Sequence, residues 1–145
     1  MTAPIFILAG EASGDQLAAH LMRALNNAYE KPNWIGVGGR LMQADGLVSW
    51  IDMETLSVIG FGGALQAYRR LSRLADDLVE RVIKARPRLV FTIDNKGFAV
   101  RFASRLKRRM KAVGWSVPII HCVAPTVWAW GRWRAKNHQR LRDVQ

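Results

Sequence analysis

Apolar residues come in two rhythms along this chain, and their alternation predicts an α/β fold. Residues 5–9 (Ile-Phe-Ile-Leu-Ala) are apolar without interruption, the pattern of a strand buried on both faces in a parallel sheet covered by helices. After the break Gly10-Glu11-Ala12-Ser13-Gly14-Asp15, Leu17, Leu21, Leu25 and Ala28 recur every three or four positions. That spacing predicts an amphipathic helix over residues 15–29, closed by Lys31-Pro32. Residues 34–37 read as a second short strand that turns at Gly38-Gly39, and residues 47–51 as a third strand at an edge. Leu71, Leu74, Leu78 and Val82 carry a further helix to about Lys84, ended by Arg86-Pro87. A crossover of that length suits a βαβ unit, so the strand at residues 89–93 should run parallel to the first. Phe98, Phe102, Leu106 and Met110 then line one side of a helix with Arg101, Arg105, Arg108 and Arg109 on the other. Residues 117–123 read as another buried strand, with His121 as a core histidine holding one hydrogen-bond partner.

In an open parallel sheet, ligands sit at the carboxyl ends of the strands. Two candidate groups fall there. The loop Gly10-Glu11-Ala12-Ser13-Gly14-Asp15 offers glycines for close backbone approach, and Ser13 and its carboxylates bring polar groups to the next helix's amino end. Asp94, directly after the fourth strand, would share that edge, where a carboxylate in reach of an attacking hydroxyl acts as a base. Each has a second reading as a helix cap, Ser13 or Asp15 for the first helix and Asp94 for the one that follows it. The loop is neither a Walker phosphate loop nor a hydrolase elbow, because no Gly-Lys-Ser/Thr follows and the positions flanking Ser13 at a distance of two are Glu11 and Asp15. Gly36-x-Gly38-Gly39 approaches a dinucleotide fingerprint but has Leu41 where the third glycine belongs.

Composition narrows the classes. At 145 residues the chain is one domain by default, and 22 Lys and Arg against 11 Asp and Glu give +11. Such an excess calls for an anionic partner: nucleic acid, phospholipid headgroups or a phosphorylated substrate. Cys122 is the lone cysteine, which excludes an internal disulfide and, with three histidines, leaves no zinc-ligand spacing. The apolar, glycine-rich residues 57–65, followed by Tyr68-Arg69-Arg70-Leu71-Ser72-Arg73, read either as a segment dipping into a headgroup layer beside its own basic anchor or as a buried loop. The tryptophans of Ala124-Pro125-Thr126-Val127-Trp128-Ala129-Trp130 offer aromatic surface for a sugar, a base or a membrane interface.

Four segments in order resemble the amino-terminal part of the lipid-A-disaccharide synthase family, inverting GT-B glycosyltransferases of lipopolysaccharide biosynthesis. They are Gly10-Glu11-Ala12-Ser13-Gly14-Asp15, Gly36-Val37-Gly38-Gly39-Arg40-Leu41-Met42, Ile93-Asp94, and Val123-Ala124-Pro125-Thr126-Val127-Trp128-Ala129-Trp130. The resemblance implies a Rossmann-like parallel sheet with helices on both faces, the acceptor-side N-terminal domain of a GT-B fold. Residues 1–145 would be that domain, whole or nearly whole, with the C-terminal UDP-sugar-binding domain absent from this chain, as a fragment or a truncated product. The implied reaction transfers 2,3-diacylglucosamine from its UDP conjugate to 2,3-diacylglucosamine 1-phosphate, giving the β-1,6-linked lipid A disaccharide and UDP, with no metal and no cofactor. Asp94 matches the family's proposed catalytic aspartate; Gly10, Glu11, Ala12, Ser13, Gly14, Asp15 and Trp128 would contact substrate. The family's peripheral attachment to the cytoplasmic face of the inner membrane implies an anionic membrane surface as partner. Phe61, Arg69, Arg70 and Arg73 are the implied contact, and the arginine-bearing helix from Phe98 a second. No nucleic acid is expected under this resemblance, although a basic nucleic-acid module and a dinucleotide-binding domain are the alternatives that composition leaves. The chain departs from the family where an Asp-x-Pro-Asp-Phe-like run reads Asp94-Asn95-Lys96-Gly97-Phe98, and where Ser-Pro-Ser-Val-Trp reads Ala124-Pro125-Thr126-Val127-Trp128.

Overall fold

The structure, a computed structural model, describes residues 2–59, 63–93 and 97–122. Its center is β1 (Ile5–Ala9), whose five residues are all buried. Parallel neighbours are β2 (Trp34–Val37) on one side and β4 (Leu89–Ile93) on the other. Outside these lie β3 (Leu47–Ser49) and β5 (Ile119–Cys122), so the five-stranded all-parallel sheet has the order β3-β2-β1-β4-β5. The apolar run of β1 has the central place because a strand with neighbours on both edges and helices on both faces meets no water.

Side-chain alternation along β1 divides the core in two. Phe6 and Leu8 face α4 (Ala64–Ala85) and α5 (Phe98–Val113), where Leu78, Val82, Phe102 and Leu106 close over them. Ile5, Ile7 and Ala9 face α1 (Ala12–Ala28), whose Ala18, Ala19 and Met22 are fully buried. Small residues at 18 and 19 let that helix lie close to the sheet. The line Phe98, Phe102, Leu106 and Met110 is buried as its spacing predicts. Helices α4 and α5 end on left-handed residues: Arg86 at φ 49° with its N–H on the Val82 carbonyl, and Gly114 at φ 66°, which bonds Met110 likewise.

The structure corrects the sequence reading in several places. Helix α1 starts at Ala12, three residues before the expected start, with Glu11 as an extended N-cap whose side chain makes no capping bond. Two short helices were not foreseen: α2 (Arg40–Ala44) and α3 (Met53–Ile59), which takes in residues 57–59 of the expected apolar loop. Helix α4 begins at Ala64, ahead of Leu71 where the expected apolar line starts, so Arg69 and Arg70 stand on the helix together with Arg73. Strand β5 is an edge strand with Ile120 43% exposed. His121 is exposed on it, not in the core, and among the described residues its hydrogen-bond partner is buried Thr92, whose hydroxyl lies 2.7 Å from its Nδ1.

Candidate functional site

From β1 the chain winds outward through β2 to β3, then returns to lay β4 on the opposite edge of β1 and β5 beyond it. The reversal falls between β1 and β4, the place where an open α/β sheet parts its loops into a crevice. Register fixes its floor: Ala9 is paired with Ile93, so the two strands end level. Gly10 follows, buried, and α1 rises from the rim with Glu11, Ala12 and Ser13 exposed and Gly14 and Asp15 turned inward. Gly14 packs beside the end of β4. A Cβ there would meet the Ala9 Cβ at 3.4 Å and the Ile93 carbonyl oxygen at 3.6 Å. Those are ordinary contacts, so a methyl group fits and the packing at Gly14 does not itself demand glycine.

Asp15 is 6% exposed, and its carboxylate is engaged. Oδ1 accepts from the amides of Gly39 at 3.0 Å and Met42 at 3.1 Å, while Oδ2 accepts from Leu41 at 3.2 Å. It therefore caps α2, not the helix it stands on, and ties the β1–α1 turn to the β2–α2 turn. The second glycine cluster follows from this. At Gly39 a Cβ would come within 2.5 Å of the Asp15 Oδ2, and at Gly36, φ 143°, within 1.9 Å of the Ile7 carbonyl oxygen. The Gly38 amide donates to the Ser49 hydroxyl at 3.2 Å. With those four amides occupied, this turn has little left to cradle a pyrophosphate, which counts against the dinucleotide reading of Gly36-x-Gly38-Gly39.

Beside the crevice, over the ends of β2 and β3, opens a cleft of about 770 Å³. Ala12 and Asp15 form one wall; Gly39, Arg40 and Gln43 a second; residues 49–54 the third. Sequence reasoning passed over Arg40, Gln43, Asp52 and Glu54. The signal available was their position, just past two parallel strands. The Asp52 carboxylate accepts from the Glu54 amide at 3.0 Å and so caps α3.

The two basic groups separate. Arg69, Arg70 and Arg73 are exposed on the first half of α4, near Leu65 and Tyr68, themselves 63% and 48% exposed. On α5 the arginines turn back to α4: Arg105 to Asp76 at 2.6 Å, Arg109 to both oxygens of Glu80, and Arg101 over the Tyr68 ring at 4.7 Å. The hydrogen bond from Arg109, reinforced by its charge, holds the Glu80 carboxyl below the ordinary range and raises the Arg109 guanidinium in return. Of the four arginines of the second expected membrane face, Arg105 and Arg109 are thus ion-paired within the domain, while Arg108 stands exposed. Asp94, Trp128 and Phe61 lie outside the described residues.

A level-ended parallel sheet of this strand order, with its reversal between β1 and β4, puts the chain among Rossmann-like α/β proteins, and the arrangement agrees with an N-terminal GT-B domain. Residues 5–144 match the profile of the family described as lipid-A-disaccharide synthetase, and the chain belongs to that family. It is 40% identical over 140 residues to the lipid-A-disaccharide synthase of Alcanivorax borkumensis, covering 97% of this chain and 35% of that protein. Those of Sodalis glossinidius and Pseudomonas fluorescens are 39% and 40% identical over 139 residues, again 96% of this chain and 35% of theirs. The chain thus spans about a third of the length of these relatives.

Proposed function

We propose that residues 1–145 form the acceptor-side domain of an inverting glycosyltransferase that joins two acylated glucosamines, the donor domain lying in the part that only the relatives' sequences cover. The observation that carries this reading is the family match across residues 5–144 of a chain whose sheet reverses its strand order between β1 and β4. In this reading 2,3-diacylglucosamine passes from its UDP conjugate to the 6-hydroxyl of 2,3-diacylglucosamine 1-phosphate, giving a β-1,6 linkage and UDP. Asp94 takes the hydroxyl proton as the bond forms, and the second domain stabilises charge on the departing diphosphate. Support for Asp94 comes from register: it follows Ile93, which is level with Ala9 and packed against Gly14. The rim residues Gly10, Glu11, Ala12 and Ser13 flank the acceptor, Gly14 and Asp15 hold the rim in shape, and Trp128 contributes an aromatic face. The reaction in this reading uses neither metal nor cofactor.

No helix among the described residues is long and apolar enough to cross a membrane. Attachment in this reading is peripheral, on the cytoplasmic face of the inner membrane, through Phe61, Arg69, Arg70 and Arg73, with each basic residue near an anionic surface worth about 1 kcal/mol. The test is a chimera joining residues 1–145 to the remainder of the Pseudomonas fluorescens relative, assayed for UDP release from the two acylglucosamines. Turnover requiring both substrates is expected, and Asp94→Ala should lower kcat by roughly 10²- to 10⁴-fold with an unchanged melting temperature. A chimera that folds but stays inactive, while the relative's own N-terminal part supports turnover, overturns the reading. Normal turnover in Asp94→Ala removes that residue from the mechanism.

A further inference from the structure

We propose that the cleft over β2 and β3 is a subsite for a sugar carrying a phosphate monoester, with Arg40 as its phosphate contact; the inference rests on the transferase reading above. Position comes first. Ala12 and Asp15 belong both to the rim of the crevice and to the wall of the cleft, so a sugar at the rim extends into the cleft without crossing a helix. At about 770 Å³ the space is of the size that small ligands occupy.

The chemistry is more selective than the shape. Asp15 takes the amides of Gly39, Leu41 and Met42, and the Ser49 hydroxyl takes that of Gly38. Four of the five amides from Gly38 to Met42 are therefore taken, and the positive side chain at this turn is the Arg40 guanidinium. Arg23, Arg105 and Arg109 are ion-paired, whereas Arg40 has neither ion pair nor hydrogen bond among the described residues. A guanidinium meets two phosphate oxygens with parallel N–H bonds, a geometry that an ammonium lacks. Gln43, Asp52 and Glu54 line the same cleft. Their oxygens accept from sugar hydroxyls and from a substituted amine, and the two carboxylates repel a bare anion. The combination favours phosphate presented on a sugar over free phosphate, and a sugar 1-phosphate over the sugar alone.

The test begins with the isotope-labelled 145-residue chain, titrated with glucosamine 1-phosphate, glucosamine and UDP while the amide resonances of Gly39, Arg40, Gln43 and Glu54 are followed. Saturable shifts with glucosamine 1-phosphate are expected, with glucosamine at least about tenfold weaker, as loss of a charge-assisted pair requires. Arg40→Gln should abolish that difference, and the exposed α5 substitution Lys107→Gln should leave it. Equal affinity for the two sugars, an unaffected preference in Arg40→Gln, or tighter binding of UDP in the cleft overturns the proposal. In the chimera, Arg40→Gln should raise the KM for the phosphorylated acceptor about tenfold and leave the donor KM alone. Normal turnover with an unchanged acceptor KM defeats the subsite and spares the transferase. An inactive chimera defeats the transferase reading, while the titration still decides whether the cleft reads phosphate.

Discussion

On one side of the sheet a single carboxylate, Asp15, lies buried and accepts three backbone amides; on the other, Arg105 and Arg109 of α5 reach carboxylates of α4 in contact with water. Both are electrostatic ties between successive elements, yet they differ in what replaces them when they break. Water takes the place of an exposed guanidinium, so the pair adds little to stability. No comparable substitute reaches Met42 or Gly39, both buried, and an amide left unpaired there keeps the full penalty of its desolvation. The arginine seam sets how much cationic surface is left outside, and the Asp15 tie sets the shape of the site.

Asp15→Ala should therefore have the largest effect, about 3 kcal/mol of stability and a fall of roughly 10 °C in melting temperature, read by urea and thermal unfolding. A loss no greater than that of an exposed pair would break the comparison. The next effect is on binding. Replacing Arg69, Arg70 and Arg73 together by Gln should weaken attachment to anionic vesicles roughly a hundredfold, at about 1 kcal/mol per residue. The double change Arg105→Gln and Arg109→Gln should weaken it far less, because those charges are matched within the fold. Equal losses in a vesicle sedimentation assay would dissolve the distinction between free and paired arginines. Smallest is the acid limb of the stability profile. Glu80, with its folded value lowered by Arg109, contributes above its unfolded value, and the contribution disappears as pH falls through the lowered one. Arg109, raised, keeps its share until pH rises through its folded value, beyond the ordinary alkaline range. Glu80→Gln should thus flatten the acid limb slightly and leave the neutral plateau nearly unmoved.

What could be read in the sequence were the elements that bury an apolar face by themselves. The run Ile5–Ala9 and the line Phe98, Phe102, Leu106 and Met110 carry their periodicity openly, and both stand where that periodicity puts them. The one-turn α2 does not. Five residues lack a period, and the group that caps it, Asp15, is more than twenty positions earlier. Gly36 and Gly39 invited a phosphate reading because sequence shows that a side chain is missing without showing what occupies its place, here the Ile7 carbonyl and the Asp15 carboxylate. The arginines of α5 looked free for the same reason, their partners lying 29 positions back on α4. The parallel direction of β4 relative to β1 was legible from the crossover length, but its place directly beside β1 was not, and the cleft over β2 and β3, assembled from three separate turns, left no local mark.

Because Asp15 fastens the first helical turn of α1 to the start of α2, the two lips of the cleft form one rigid piece. Their relative freedom is given up once, during folding, and not again at every encounter with a ligand. Affinity in such a cleft should depend mainly on how fast a bound sugar escapes, and a loosened tie should register as shorter residence before it registers as slower capture.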